Sequence, residues 1–294
     1  MGAGPLVSVT IPSFNAERTL PLCLEGIGHQ SYRNLEIILV DSYSTDRTRE
    51  IAEDFGARVV LCEGKLLAAR FLGLRESRGD FIVFVDTDQV LEATAIERAL
   101  GLMETYDMLL FEEHSYNPRG FIPRLYQASK EIINRKLRSS PSALKPGEGF
   151  GAARFFKRYL LERAFEAIPS EIIPQVIHYD HDIIYYECYR ISQRVGLLPN
   201  AVYHIEPDWR KLWRTNFRYG ASLRYLRQQQ FYRELIQKGE SRLWFDRHIL
   251  QGLQALLLMF ILKMVQRLGW WFGEQQTRSS SLSSPSLRRG WGWR

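Results

Sequence analysis

The chain predicts an α/β fold, a sheet covered by helices on both faces, continued by a helical C-terminal extension. Three observations carry that expectation. Strand-like and helix-like segments alternate four times with short links before residue 87, the pattern of strand–helix–strand units. Two of the strands run into aspartates, Asp41 and Asp86, and open α/β sheets bind ligands beyond the carboxyl ends of their strands. From residue 208 onward the pattern is almost entirely helical.

The first strand is Leu6 to Ile11, a β-branched run closed by Pro12. Residues 16–28 have helical spacing (Leu20, Leu24, Ile27), with Glu17 near the start. Leu35 to Val40 is a second strand, ended by Asp41. A helix then runs to about Phe55, with Ser44 or Thr45 as its expected cap. Ala57 to Leu61 is a third strand, 65–77 a helix, and Phe81 to Val85 a fourth strand delivering Asp86. Beyond it the spacing predicts helices at 94–105, 124–138 and 180–195, and strands at 107–112 and 197–205.

At 294 residues the chain can bury a sizeable core, and 45% hydrophobic with 24% charged residues is globular composition. Three scattered cysteines (Cys23, Cys62, Cys188) make neither a disulfide framework nor a zinc knot. A reducing cytoplasm is expected, and the N-terminus lacks the basic start of a signal peptide. Charge is uneven. Residues 1–206 hold 23 Lys/Arg against 28 Asp/Glu, and residues 207–294 hold 16 against 5. Such a basic arm suits a phosphate-rich partner. No nucleic-acid-binding motif accompanies it, so a membrane surface is the expected partner and nucleic acid is not.

The strongest chemical signal is Phe81-Ile-Val-Phe-Val-Asp86-Thr87-Asp88. An apolar strand brings two carboxylates to its open end, and carboxylate oxygens suit Mg²⁺ or Mn²⁺. Strand alternation would aim both to one side. With Val9-Thr-Ile-Pro-Ser-Phe-Asn15, Glu36-Ile-Ile-Leu-Val-Asp-Ser-Tyr-Ser-Thr-Asp46, Ala68-Ala-Arg70 and Gly79-Asp80, this ordered set resembles the inverting glycosyltransferases of family 2. The resemblance covers about residues 6–220. It departs from the family at Phe14 (usually Tyr), at Ser42-Tyr43 (usually Asp-Gly) and at Phe71 (usually Asn).

The resemblance implies a GT-A (Rossmann-like) mixed sheet and a nucleotide-diphosphate sugar, UDP- or GDP-linked, as donor. Pro12, Phe14 and Glu17 would line the nucleotide pocket. Asp41 would accept from the base, Arg70 would hold base or diphosphate, Asp86 would reach the ribose or a metal-bound water, and Thr87 would join the nucleotide site. Asp88 would bind the metal, Mg²⁺ or Mn²⁺, with His204 as a further ligand. In the run His178-Tyr-Asp180-His-Asp182, Asp180 is the first choice of general base and Asp182 the second. His178 and His181 are read as surface or carboxylate-partner histidines. Gly149, in a glycine-bearing loop, and Arg210 and Arg214, on one helical stripe with Arg218, would face diphosphate or acceptor. The acceptor would be a glycan or a lipid-linked molecule.

Ile249 to Phe272 spans 24 residues, about 36 Å as a helix. Gln251, Gln254, Lys263, Gln266 and Arg267 interrupt it. A helix lying on the inner face of the cell membrane is favoured over a spanning or a protein-packed one. The expected organisation is a catalytic domain at 1–220, a helical membrane-associating extension at 221–274 and a disordered basic tail at 275–294.

Overall fold

The computed structural model describes residues 4–147, 151–229, 231–240 and 248–273. Gly149 and the 275–294 tail lie outside the described residues. One mixed sheet of eight strands organises the chain, in the order β3-β2-β1-β4-β7-β6-β8-β5. These strands are β1 Val7–Ser13, β2 Leu35–Asp41, β3 Arg58–Leu61, β4 Phe81–Phe84, β5 Gln89–Leu91, β6 Met108–Ser115, β7 Ala153–Lys157 and β8 Val195–His204. The helices are α1 Leu20–Gly28, α2 Thr48–Asp54, α3 Leu66–Glu76, α4 Ala95–Leu102, α5 Phe121–Ser139, α6 Arg158–Ala167, α7 Asp180–Ile191, α8 Trp209–Gln229, α9 Arg233–Glu240 and α10 Ile249–Phe272.

β1 is the centre of the parallel half, pairing β2 on one side and β4 on the other. Every residue of β1 is buried, as expected for a strand covered on both faces. Pro12 is tolerated there because β4 pairs only as far as Thr10, so Pro12 has a ladder neighbour on the β2 side alone. The second half is not parallel throughout. β7 pairs antiparallel to both β4 and β6, β5 antiparallel to β8, and β6 parallel to β8.

Several elements depart from the sequence expectations. The first helix begins at Leu20, with Pro21 in its first turn. α2 begins at Thr48 rather than after Ser44 or Thr45. The Ser44 hydroxyl donates to Asp41 instead (2.5 Å), and the Thr45 amide donates to Asn15 (2.8 Å). Tertiary partners have taken the groups that would cap the helix. β5, only three residues long, and α6 are not among the expected elements. β5 is recognisable only through its pairing with β8.

α8 runs without a break through residue 220. α10 packs along α5 and α8. Its contact with α8 is close: a Cβ on Gly269 would stand 1.9 Å from the Phe217 carbonyl oxygen, and one on Gly220 1.9 Å from that of Gln266. These two glycines let the helix backbones nearly touch, which a larger residue at either position would forbid. Leu258 and Val265 join Ile122, Leu125 and Leu212 in a small core between the three helices. The opposite stripe of α10 is exposed and mostly apolar: Leu253, Leu257, Phe260, Met264 and Trp271.

Candidate active site

The site forms where β1, β2, β4 and β8 present their carboxyl ends. β4 stops at Phe84, so Asp86, Thr87 and Asp88 lie in the turn beyond it, where strand alternation no longer applies. The two carboxylates therefore face different partners instead of sharing one side. Thr87 is half-buried between them. The Gln89 side chain locks this turn, accepting from the Asp86 amide (3.0 Å) and donating to Glu113 (3.1 Å).

Asp86 looks toward α3 and α7. Arg70, 1% exposed, donates from Nη2 to Asp86 (2.7 Å) and from Nε to Asp180 (2.5 Å). Arg154 on β7 adds a second guanidinium to Asp86 (3.0 Å). Burial works against both carboxylates. The guanidiniums outweigh it and hold Asp86 well below the usual carboxylate range, and Arg70 likewise lowers Asp180. The N-terminus of α3 builds this meeting. The Lys65 and Leu67 amides donate to the carbonyls of Pro174 and Val176, so the 172–182 segment lies against Arg70. Tyr179 enters α7 with φ 68, a left-handed conformation costly for a tyrosine. It turns Asp180 inward and buries it.

His181 is partly buried and has a carboxylate partner. It contacts Arg154 and lies 3.6 Å from Asp86. Burial, then the neighbouring arginines, push its pKa down to about 4, so it is neutral at pH 7. His178 stacks on Tyr219 (4.5 Å, 8° between planes), and burial takes it to about 4 as well. Between pH 6.5 and 4 the unfolded chain protonates His178 and the folded chain does not, so folding stability falls across that window as pH drops. His178→Phe should keep the stack and flatten this dependence. Thermal unfolding midpoints from pH 7 to 4 check it, and a variant that tracks wild type through the window refutes it.

Asp88 looks the other way. His204 Nε2, at the end of β8, lies 3.4 Å from Asp88 Oδ1, and Glu206 lies 3.3 Å from His204 Nδ1. Lys211, in the first turn of α8, donates to Asp88 Oδ2 (3.0 Å). Burial and Lys130 oppose protonation of His204, but Asp88 and Glu206 outweigh them and raise its pKa above 6.5. Two adjacent ligands of an octahedral Mg²⁺, each about 2.1 Å from it, stand about 3 Å apart. The spacing of Asp88 and His204 fits that arrangement, and Glu206 behind the imidazole is the carboxylate partner that metal-bound histidines commonly have. Among the described residues no third His, Cys, Asp or Glu completes a protein-only cage. The remaining ligands would come from diphosphate and water, as is usual for Mg²⁺.

A relay of charge joins the two sides. Glu113 meets Arg154 (3.4 Å) and Lys130 (3.4 Å), and Lys130 meets Glu206 (2.9 Å). Burial raises Glu113, yet Lys130 and Arg154 bring its pKa down to about 2. Arg154, Glu113, Lys130, Glu206 and Lys211 were not singled out from the sequence, since they sit on separate elements and no local spacing links them.

The remaining expected residues are placed as follows. Phe14 and Tyr43 are about half exposed, at the ends of β1 and β2. Tyr43 has φ 60, at the position where the resemblance would have glycine. Asp41 is fully buried and accepts from Ser13 (2.8 Å), the Ser44 amide (2.8 Å) and the Ser44 hydroxyl. Its hydrogen bonds hold the β1 and β2 loops together. Pro12 is buried, and Glu17 is exposed, accepting from the Arg47 amide (3.2 Å). Asp182 is in the first turn of α7. Arg210, Arg214 and Arg218 form an exposed stripe on α8, and the same helix brings Lys211 to Asp88 and Tyr219 to His178.

A mixed sheet with paired carboxylates at its open edge is the architecture of GT-A glycosyltransferases. The description "Glycosyl transferase family 2" matches residues 8–165, more than half of the chain, and the chain belongs to that family. It is 26% identical over 210 residues to the uncharacterized glycosyltransferase EpsJ of Bacillus subtilis (strain 168), covering 68% of this chain and 60% of EpsJ. Over 123 residues it is 30% identical to WfaP of Escherichia coli, named as a UDP-Glc:alpha-D-GlcNAc-diphosphoundecaprenol beta-1,3-glucosyltransferase, covering 40% of this chain and 49% of WfaP. The chain thus spans about half to three fifths of these relatives. Among solved structures, S. aureus TarS 1–349 in complex with UDP-GlcNAc superposes with a TM-score of 0.58 at 16% identity, covering 88% of this chain and 81% of that one. Mycobacterium tuberculosis glucosyl-3-phosphoglycerate synthase, solved with Mn²⁺, UDP-glucose and phosphoglyceric acid, gives 0.53 at 20% identity, covering 75% and 79%. These likenesses show the GT-A fold.

Proposed function

We propose that the protein is a metal-dependent inverting glycosyltransferase that moves a sugar from a UDP- or GDP-linked donor to an acceptor hydroxyl on a lipid-linked or membrane-proximal glycan. The observation that carries this reading is the convergence of Asp88–His204 and Arg70–Asp180 on the open edge of one sheet. The first pair suits a cation, and the second supplies an ionised carboxylate of the kind that takes the proton of an acceptor hydroxyl.

Phe14 and Tyr43 offer exposed rings to the nucleotide at the ends of β1 and β2. Asp88 and His204 would hold Mg²⁺ or Mn²⁺, which when bound supplies positive charge for the departing diphosphate. Lys211 is placed to add a second positive charge to the same group. Asp180 takes the proton of the acceptor hydroxyl, and Arg70 keeps its carboxylate ionised and aimed. A depressed pKa makes Asp180 a weak base in the ground state. It gains strength as attack on the anomeric carbon acidifies the hydroxyl.

Thermal unfolding with a panel of sugar nucleotides, with and without Mn²⁺, tests the donor side. One nucleotide sugar should stabilise the protein in a Mn²⁺-dependent way, and a panel with no response rejects the reading. Asp180→Asn should lower kcat by about 10²–10⁴-fold. A loss confined to donor affinity would reassign the residue, with Asp182 the next choice of base. One observation favours a second reading: the Arg70 grip leaves Asp180 little freedom. An acceptor that is already anionic, such as a polyprenyl phosphate, needs no base, and then Asp180→Asn keeps most of its activity.

α10 is the one helix among the described residues long and apolar enough to cross a membrane, with mean hydropathy 1.6. Its packing on α5 and α8 supports a helix lying on the membrane over a spanning one. Its apolar stripe would meet the inner face of the cell membrane, with Lys263 and Arg267 beside it drawn to anionic headgroups.

A further inference from the structure

We infer that the groove between the start of α5 and the first half of α10 receives the hydrocarbon chain of a lipid diphosphate acceptor, and that Arg124 at its rim takes the diphosphate. This rests on the lipid-linked acceptor reading above and gives that acceptor a place. The groove is a cavity of about 470 Å³ walled by Phe121, Leu125, Leu253 and Leu257. Phe121 is 64% exposed and Leu253 59% exposed, so the walls present wet apolar surface that an aliphatic chain would cover.

Three features select a lipid diphosphate as the occupant. First, Leu253 and Leu257 belong both to the groove wall and to the outward stripe of α10, so a chain rising from a membrane surface meets apolar side chains where it enters. Second, its rim is cationic. Arg124 is exposed and has no acidic partner among the described residues, and Glu131 further along α5 is engaged by Gln127 and Gln251. Third, α5 leads from the groove to the reacting end. Six residues separate Arg124 from Lys130, about 9 Å along a helix. Lys130 Nζ lies 2.9 Å from Glu206, which backs His204. α5 thus connects the groove to the charged residues behind the Asp88 turn. The approach is also built at the backbone level. The Tyr116 amide donates to the His204 carbonyl (2.8 Å), and only residues 117–120 separate this tie from α5.

The probe is farnesyl diphosphate, titrated calorimetrically below its aggregation concentration, with inorganic diphosphate and farnesol as controls. The proteins are the full chain, Leu253→Ser/Leu257→Ser and Arg124→Gln. All substituted side chains are exposed, so unfolding midpoints should match wild type. Farnesyl diphosphate should bind wild type and bind each variant about 10-fold or more weaker, while inorganic diphosphate binds the Leu253→Ser/Leu257→Ser protein as it binds wild type and binds Arg124→Gln more weakly. Equal farnesyl diphosphate affinity across the three proteins overturns the assignment. So does weakening confined to co-sedimentation with phosphatidylglycerol vesicles, which would make the groove walls a bilayer-facing surface only. The acceptor reading fails separately. If a water-soluble glycan is glycosylated as fast as its polyprenyl-diphosphate-linked form, that reading is wrong. If the linked form is preferred and the variants keep its KM, only the groove assignment is wrong.

Discussion

Asp88→Ala should lower sugar transfer by about 10³-fold or more, with little change in folding stability. Such losses are typical when a group that neutralises developing charge is removed from a preorganised site. Among the described residues the Asp88 carboxylate is held only by Lys211 and His204, one from an exposed helix turn and one at a strand end. Nothing in the core depends on it. The same variant should lose the Mn²⁺-dependent part of nucleotide-sugar stabilisation, which separates a metal role from a general loss of donor binding. Turnover within a few-fold of wild type would remove Asp88 from the metal site.

Arg70→Met should be the most destabilising single change in the site, at about 3–5 kcal/mol, the usual range when one partner of a buried ion pair is deleted. The lower end is expected, because Asp86 remains partly exposed (26%) and keeps Arg154. Asp180, at 8% exposure, is the group left uncompensated. Arg70→Met/Asp180→Asn should therefore recover part of the loss, since it removes the orphaned charge. Arg70→Lys should not restore the wild-type state, because an ammonium cannot span both carboxylates as the guanidinium fork does. Urea unfolding of the four proteins decides the matter. A double variant no more stable than Arg70→Met would show that the orphaned Asp180 charge is not the source of the loss.

Much of the parallel half was legible in the order of residues. β1 to β4 and the helices between them obey short-range rules, and their boundaries fall within a few residues of those expected. The turn carrying Asp86 and Asp88 was legible for the same reason: a buried apolar run followed by carboxylates is a local pattern. The misplaced start of α2 marks the limit of such rules. Ser44 is a good cap by type, but Asp41 competes for its hydroxyl, and that competitor is adjacent only once β1 and β2 have paired. β5 was invisible because three residues carry no periodicity, and its strand character is conferred by β8.

The chain's own order thus determined an α/β protein with acidic strand ends, a basic C-terminal arm and one long apolar helix. Tertiary structure decided which charges meet. Arg70 joins Asp86 and Asp180 across 16 and 110 residues, and Lys211 reaches Asp88 across 123. Folding also decided that α10 lies against α5 and α8, through Gly220 and Gly269. The division has one physical cause. Propensity, alternation and capping act over a few residues and can be read along a chain. Buried ion pairs and close helix crossings depend on what the fold brings within about 4 Å, and sequence distance carries no information about that.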